Sequence, residues 1–161
     1  MSRLLAIDPG TYAMGLALFD GPNLVGSRLL TPSKKWPAQK RAIWLTVELA
    51  KVLEAYTVHA VAMERPGGKP GHLPPTLLAL CIYIRQMAKE KRLPLAEYPP
   101  ATVTKAVAPR GWPGDRKAKL RAGVVALYGP ILQTASQDVV DAIAVGHCHL
   151  AKLQEKELVG L

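Results

Sequence analysis

Four acidic residues in this sequence have positions from which they could share a divalent metal ion. Asp8 follows a short apolar run, residues 3–7, and Glu64 follows another, residues 58–63. Both runs have the length and composition of buried strands, so each acid is expected at the end of a strand. A carboxylate there is unfavourable unless its charge is compensated. For Asp8 the alternatives are the backbone amides of the following turn or a bound cation.

The other two acids, Asp138 and Asp141, are three residues apart in a segment with helical spacing, residues 137–156, and so share one helix face. Asp138 is also explained by the attraction of an acid to a helix N-terminus, whereas Asp141 lies one turn deeper among apolar residues. Converging carboxylates raise each other's pKa unless a cation is bound. Mg²⁺ or Mn²⁺ suits such oxygen ligands, and two ions roughly 4 Å apart support phosphodiester hydrolysis.

The spacing of apolar residues predicts an α/β protein. Strands are predicted at residues 3–7, 12–19, 24–30, 58–63 and 95–98, and helices at residues 38–56, 73–92, 101–107, 116–128 and 137–156. Short turns join the first three strands, which makes them antiparallel, whereas the later strands follow helices. This order predicts a five-stranded mixed sheet with helices on both faces. In the first helix, Ile43, Val47, Ala50 and Leu53 recur near helical spacing, which predicts an amphipathic helix.

Length and composition limit the class of protein. The chain has 161 residues, 49% hydrophobic and 20% charged, which is typical of one folded domain over residues 1–161. No apolar run reaches the ~18 residues of a membrane span, and Asp8 interrupts the region where a secretory leader would be apolar. Cys81 and Cys148 are far apart and indicate neither a disulfide framework nor a thiol zinc site. We expect a cytoplasmic protein with no membrane partner.

The charge balance favours a polyanionic partner. There are 21 Lys and Arg against 12 Asp and Glu, a formal net charge of +9, so nucleic acid is the expected ligand. The residues predicted to contact DNA are Lys34, Lys35, Lys69, Arg110, Arg116, Lys117, Lys119 and Arg121. Two clusters stand out: the first consists of Lys34, Lys35, Lys40 and Arg41, and the second of Arg110, Arg116, Lys117, Lys119 and Arg121. The alternative for each cluster is a solvated surface. Trp36 and Trp112 flank the clusters and could stack on bases, although loop tryptophans more often pack locally.

Several of these residues together resemble a known family. The run Ile7, Asp8, Pro9, Gly10, Thr11 with Gly15, the strand-ending Glu64, and the run Asp138 to Ala142 followed by His147, Cys148 and His149 are similar to motifs of the RuvC-type Holliday-junction resolvases. The resemblance implies an RNase H-like fold and metal binding by the four acids. It also matches Lys105 to a functional lysine, and Lys117 or Lys119 to a second basic residue near the scissile phosphate.

The same resemblance implies a mechanism and partners. Two Mg²⁺ or Mn²⁺ ions per active site would be bridged by Asp8 and held by Glu64 and Asp141, with Asp138 beside the attacking water. The implied substrate is a four-way junction, nicked symmetrically to leave 5′-phosphates by a homodimer in DNA recombination and repair. Branch-migration machinery is an implied further partner, and the nucleoid or the DNA compartment of a host is the implied location.

Other interpretations stay open. Family members usually carry an aromatic residue in the loop after the glutamate, whereas residues 65–75 here contain none. A broader branched-DNA nuclease acting on flaps and forks is therefore an alternative. A YqgF-like RNA nuclease shares the opening motif and a late aspartate, and a non-catalytic nucleic-acid binder would retain the fold. The opening also resembles a phosphate loop of actin-type ATPases, which need two such domains to enclose ATP.

Overall fold

A single sheet organises the molecule, which is represented by a computed structural model that describes residues 2–69, 71–108 and 110–160. Its strands are β1 (Arg3–Asp8), β2 (Met14–Asp20), β3 (Asn23–Leu30), β4 (Ala60–Glu64) and β5 (Leu95–Tyr98). The strand order is β3-β2-β1-β4-β5. The first three strands pair antiparallel, and β4 and β5 are added in parallel. The predicted mixed sheet is confirmed.

Helices cover both faces of this sheet. They are α1 (Ala38–Ala55), α2 (Pro75–Glu90), α3 (Pro100–Val107), α4 (Arg116–Tyr128) and α5 (Gln137–Val159). Side chains alternate between the faces of a strand. Leu5 and Ile7 of β1 therefore pack with α1 and α2, whereas Leu4 and Ala6 pack with the other three helices. A 3₁₀ helix at Pro130–Thr134, which the sequence did not predict, precedes α5.

The helix α1 is present as predicted and buries one stripe of apolar residues. Ile43 and Val47, which contributed to the helical spacing, lie outside that stripe and are 53% and 49% exposed. The apolar residues that α1 buries are Ala42, Leu45, Leu49 and Val52. Because apolar residues occur around most of this helix, their spacing alone does not determine which stripe contacts the sheet.

Two glycines allow α5 to approach the sheet closely. At Gly15 in β2, a Cβ atom would lie 1.8 Å from the carbonyl oxygen of Asp138. At Gly146, near the middle of α5, a Cβ atom would lie 2.1 Å from the ring of Phe19. A side chain at either position would displace the helix, so these contacts fix where the start of α5 meets the sheet.

The cysteines and the hydropathy of the helices complete the description. Cys81 and Cys148 are buried and have free thiols. Cys148 lies in the core, with Sγ 3.9 Å from the carbonyl oxygen of Thr102. In the part of the chain that the structure describes, no helix combines the length and apolar character needed to cross a membrane.

Candidate active site

The sheet places Asp8 and Glu64 at one edge and on one face. β1 and β4 run in parallel and in register up to the residues just before the two acids. Each acid is two residues beyond an alanine, Ala6 or Ala62, that packs with α5. Since side chains alternate along a strand, both carboxylates lie on the side of the sheet that α5 covers.

The first turns of α5 bring the other two acids to this edge. The helix begins after Ser136, whose hydroxyl accepts a hydrogen bond from a backbone amide of the first turn at 3.3 Å. Gly15, which pairs with Asp8 across β1 and β2, lies directly against the Asp138 carbonyl. The start of α5 is therefore level with Asp8, and Asp141 follows one turn later.

The other three acids and Arg116 all influence the electrostatics of Asp8. Burial raises the pKa of the Asp8 carboxyl well above its ordinary value, and the negative charges of Asp141, Glu64 and Asp138 raise it further. The positive charge of Arg116 opposes this rise. Carboxylates perturb one another in this way only when they share a poorly solvated site. Acids from β1, β4 and α5 therefore face one site.

Arg116, the first residue of α4, is paired with Glu64. Its Nη2 donates to Glu64 Oε2 at 2.9 Å, and its Nε donates to Thr104 Oγ1 at 3.0 Å. Burial raises the pKa of Glu64, the Arg116 guanidinium lowers it, and the charge of Asp141 raises it. Because the buried Glu64 carboxylate has lost most of its hydration, this guanidinium is its main charge partner.

Asp141 is held by its own helix. Gln137 Nε2 donates to Asp141 Oδ1 at 2.7 Å. Burial raises the pKa of Asp141, and the Gln137 hydrogen bond and the Arg116 charge lower it. Asp138 adds a smaller rise, and Lys117 a smaller decrease. The charge of Lys117, one of the two predicted alternatives, thus reaches the acids.

The chemistry of this site suits a divalent cation. Four carboxylates face one guanidinium, which leaves net negative charge among oxygen ligands of the type that hard cations prefer. Within residues 2–69, 71–108 and 110–160, no three His, Cys, Asp or Glu side chains lie close enough together to hold an ion as they are placed. Glu64 Oε2 accepts from Arg116 and Asp141 Oδ1 accepts from Gln137, so one oxygen of each carboxylate already has a protein donor.

A basic cavity of about 620 Å³ adjoins the acids between α3 and α4. Its polar lining consists of Thr104, Lys105, Arg110, Arg116 and Lys119. Arg116 borders the cavity and also contacts Glu64, so the acidic and basic regions meet at this side chain. The cavity has the charge that a sugar-phosphate backbone requires.

The other residues predicted to contact DNA differ in their surroundings. Lys34, Lys35 and Lys69 are exposed. Arg121 is used within the fold, because its Nη1 donates to three backbone carbonyl oxygens at 2.8–3.1 Å around the 3₁₀ helix. The structure thus brings Lys105, Arg110, Arg116 and Lys119 together around one cavity, which Arg116 links to Glu64. It leaves Lys34 and Lys35 on the loop before α1.

The loop before α1 is packed more tightly than the sequence predicted. Trp36 lies edge-on against Trp44, and Lys40 Nζ is 4.4 Å from the centre of the Trp36 ring. This agrees with the alternative of local packing. Arg41 is 6% exposed, and its guanidinium donates to the backbone carbonyls of Thr11 and Trp36. Counting Arg41 in a surface cluster is therefore wrong.

Two residues at the site were not predicted from the sequence. Gln137 precedes Asp141 by four residues on the same helix, a spacing that places the two side chains in contact, so a signal was present. Thr104 accepts the second hydrogen bond of Arg116. It lies 12 residues away, in another helix, and nothing in its local sequence indicates that contact.

The comparisons with known proteins agree on one kind of relative. No protein-family model matches the chain. The chain is 30% identical over 152 residues to the crossover junction endodeoxyribonuclease RuvC of Dehalococcoides mccartyi, which covers 91% of this chain and 90% of that protein. It is also 30% identical over 171 residues to the RuvC of Moorella thermoacetica, with 98% of each chain covered.

Solved structures show the same fold. The RuvC of T. thermophilus in complex with a Holliday junction substrate superposes with a TM-score of 0.80 at 20% identity, over 96% of both chains. The fowlpox virus resolvase, solved with Holliday junction DNA, gives a TM-score of 0.59 at 14% identity, over 92% of this chain and 99% of that one. The predicted RNase H-like arrangement is confirmed.

Proposed function

Because the chain belongs to the RuvC family of crossover junction endodeoxyribonucleases, we propose that its acid-lined sheet edge hydrolyses DNA at four-way junctions with the help of divalent metal. The observation that supports this proposal is the group of four carboxylates from β1, β4 and α5 beside a basic cavity. Such a pairing of acids with cations suits a site that holds metal and phosphate side by side. A Thermus protein of the same fold is solved with a Holliday junction, so that substrate is the one to test.

In this proposal Asp8, Glu64 and Asp141 would hold two Mg²⁺ or Mn²⁺ ions. The negative charges of the other three acids all act on the Asp8 carboxyl, so its ionised form would gain most from a bound cation. Bound divalent metal supplies Lewis-acid stabilisation of the phosphate and lowers the pKa of a water molecule. Asp138, in the first turn of α5, orients or deprotonates the attacking water.

The basic residues act on the phosphate. The water oxygen attacks phosphorus, and the bond between phosphorus and the 3′ oxygen breaks. The 3′ oxygen takes up a proton from solvent, so the products are a 5′-phosphate and a 3′-hydroxyl. Arg116 lies between Glu64 and the basic cavity and would donate to a phosphate oxygen there, and Lys105 would support the same group from α3. Positive charge fixed before the reaction stabilises the transition state without reorganisation. Lys117 or Lys119, on the same helix as Arg116, is the second basic residue near the scissile phosphate in this proposal.

The assembly follows from the substrate. A four-way junction has near-twofold symmetry, so two symmetric nicks are best made by a homodimer with an isologous interface. We propose that residues 1–161 form one nuclease domain of that dimer, and that branch-migration machinery delivers the junction.

The first experiment is cleavage of an end-labelled four-way junction, compared with duplex, flap and RNA–DNA hybrid substrates. Wild type is assayed with Mg²⁺, Mn²⁺ or EDTA, next to Asp8→Asn. Asp20→Asn is the matched control, since Asp20 ends β2 at the opposite end of the sheet and pairs with Arg3 at 3.7 Å. We expect paired symmetric nicks in the junction from wild type and the control. EDTA and Asp8→Asn should abolish them.

The other substrates separate the alternatives. Equal cutting of flaps or forks would retain the catalytic assignment and broaden the substrate to branched DNA in general. Cutting of the RNA–DNA hybrid alone would favour an RNA nuclease. Near-normal turnover by Asp8→Asn would refute the assignment of the acids, and junction binding with no cutting would make the protein a binder.

A further inference from the structure

Tyr12 is an exposed aromatic residue at the edge of the sheet where the acids meet. It lies in the turn between β1 and β2, whose flanking residues Asp8 and Gly15 are paired. The turn is tight, because a Cβ atom on Gly10 would lie 2.5 Å from the carbonyl oxygen of Ala13. Tyr12 itself is 57% exposed. Burial in the core therefore does not explain an aromatic residue here.

The buried guanidinium of Arg41 packs against one face of this ring. The Arg41 Cζ lies 4.0 Å from the centre of the Tyr12 ring. Arg41 is itself fixed, since its Nε donates to the Thr11 carbonyl at 3.0 Å and its Nη1 donates to the Trp36 carbonyl. One face of the ring is thus covered by a guanidinium that cannot move freely, while the residue as a whole stays 57% exposed.

The ring has the properties of a stacking platform. Its orientation is set before a ligand arrives, so little conformational entropy is lost when a flat partner binds. A nucleobase is such a partner, and stacking on aromatic side chains tolerates every base because each has a π-face. Lys34 and Lys35 are exposed on the loop that Arg41 ties to the same turn, and they supply charge for the neighbouring phosphates.

We propose that Tyr12, held by Arg41, stacks on an unpaired nucleobase that flanks the cleavage site. The inference rests on the proposed function, because the acids and Tyr12 would then contact neighbouring nucleotides of one strand. Bases at the branch point of a junction are the easiest to unstack, since they lack a continuous helix on one side. Tyr12 thus gives the α1 side of the sheet edge a role in DNA recognition.

The test combines photocrosslinking with binding. Four-way junctions carry 5-iododeoxyuridine next to the crossover, are bound by full-length Asp8→Asn protein and are irradiated, and the crosslinked peptide is identified by mass spectrometry. We expect the crosslink at Tyr12. Tyr12→Leu should lose it and bind the junction roughly 5-fold to 150-fold more weakly, with an unchanged salt dependence because no charge is removed. Tyr12→Phe should retain both.

The control is Tyr56→Leu. Tyr56 is comparably exposed but follows the other end of α1, about 22 Å from Arg41 along the helix, and we expect it to bind as the parent does. A crosslink elsewhere, or full affinity in Tyr12→Leu, overturns the proposal. An equal loss in Tyr12→Phe also overturns it, because the hydroxyl and not the ring would then matter. If wild type fails to cut junctions, the proposed function fails; if it cuts and Tyr12→Leu binds normally, only the stacking fails.

Discussion

Replacing Asp8 with asparagine should stabilise the metal-free protein while it removes activity. Asp8 is partly buried, and three other acids face it against one guanidinium. Its ionised form is therefore disfavoured in the folded state, and the neutral amide of asparagine has the same shape without that charge. Stability and catalysis should change in opposite directions, which an ordinary destabilising substitution does not do.

The size of the effect follows from the surroundings of the carboxylate. A buried group without adequate partners costs about 1–3 kcal/mol, and more when it is charged. Asp8 keeps partial access to solvent and is partly compensated by Arg116, so we take about 1–2 kcal/mol. In a chain of this length each kcal/mol shifts the Tm by roughly 2–4 °C. Asp8→Asn should therefore melt about 2–8 °C above wild type in EDTA at pH 8.

The pH dependence of stability is an independent test of whether Asp8→Asn stabilises the protein. The pKa of Asp8 is raised in the folded protein, so the free-energy cost of the buried ionised carboxylate is fully present above that raised pKa. As the pH falls from the raised pKa to the ordinary value of about 3.9, the folded state takes up a proton and this cost disappears. The advantage of Asp8→Asn should accordingly be largest at pH 8 and shrink towards about pH 4.

Thermal unfolding measures these differences in Tm and their pH dependence. Wild type, Asp8→Asn and the Asp20→Asn control are each unfolded with EDTA and with excess Mg²⁺. Mg²⁺ should raise the Tm of wild type and of the control, because a ligand that binds the folded state stabilises it. It should raise that of Asp8→Asn less. An Asp8→Asn protein that is less stable than wild type in EDTA, or an advantage that is independent of pH, would refute the account of Asp8.

Three further changes test other contacts. Gly15→Ala should destabilise the fold by about 1–3 kcal/mol or more, because the new Cβ atom would lie 1.8 Å from the α5 backbone. Gly26→Ala is the control, since a Cβ atom there has no neighbour within 4 Å. Chemical denaturation of the two variants measures the difference in their free energies of unfolding. Lys119→Gln should lower the slope of log affinity against log salt by about 0.9 per lost phosphate contact, measured by anisotropy with a labelled junction, and Lys51→Gln should not. Arg116→Lys should reduce kcat much more than it raises KM, because a lysine cannot reproduce the forked guanidinium; an unchanged kcat contradicts its role.

The sequence predicted the sheet well because the signal for each strand is local. Two apolar runs that end on acids became β1 and β4, and the antiparallel start followed from short turns. Element ends were less accurate. β4 begins at Ala60 instead of residue 58, and α2 ends at Glu90, just before Arg92 takes a positive φ of 54°. Such ends depend on pairing partners and backbone angles that apolar spacing does not encode.

The parts of the site that escaped prediction are contacts between distant segments. The shared helix face of Asp138 and Asp141 follows from their spacing. The pairing of Arg116 with Glu64 joins residues 52 positions apart, and a count of basic residues places Arg116 only in a DNA-binding cluster. Arg41 was misassigned for the same reason, since its burial depends on two backbone carbonyls that only the folded loops bring together.

The position of α5 has a consequence for how the enzyme loses function. This helix contacts β1, β2, β3 and β4 as well as α3 and α4, and its first turns carry two of the acids. Elements with many core contacts open mainly together with the rest of the fold. The two acids on α5 are therefore held by the same packing that stabilises the core, and loss of that packing should remove the site as well. The exposed loop before α4 is the region where proteolysis and sequence drift are expected to act first.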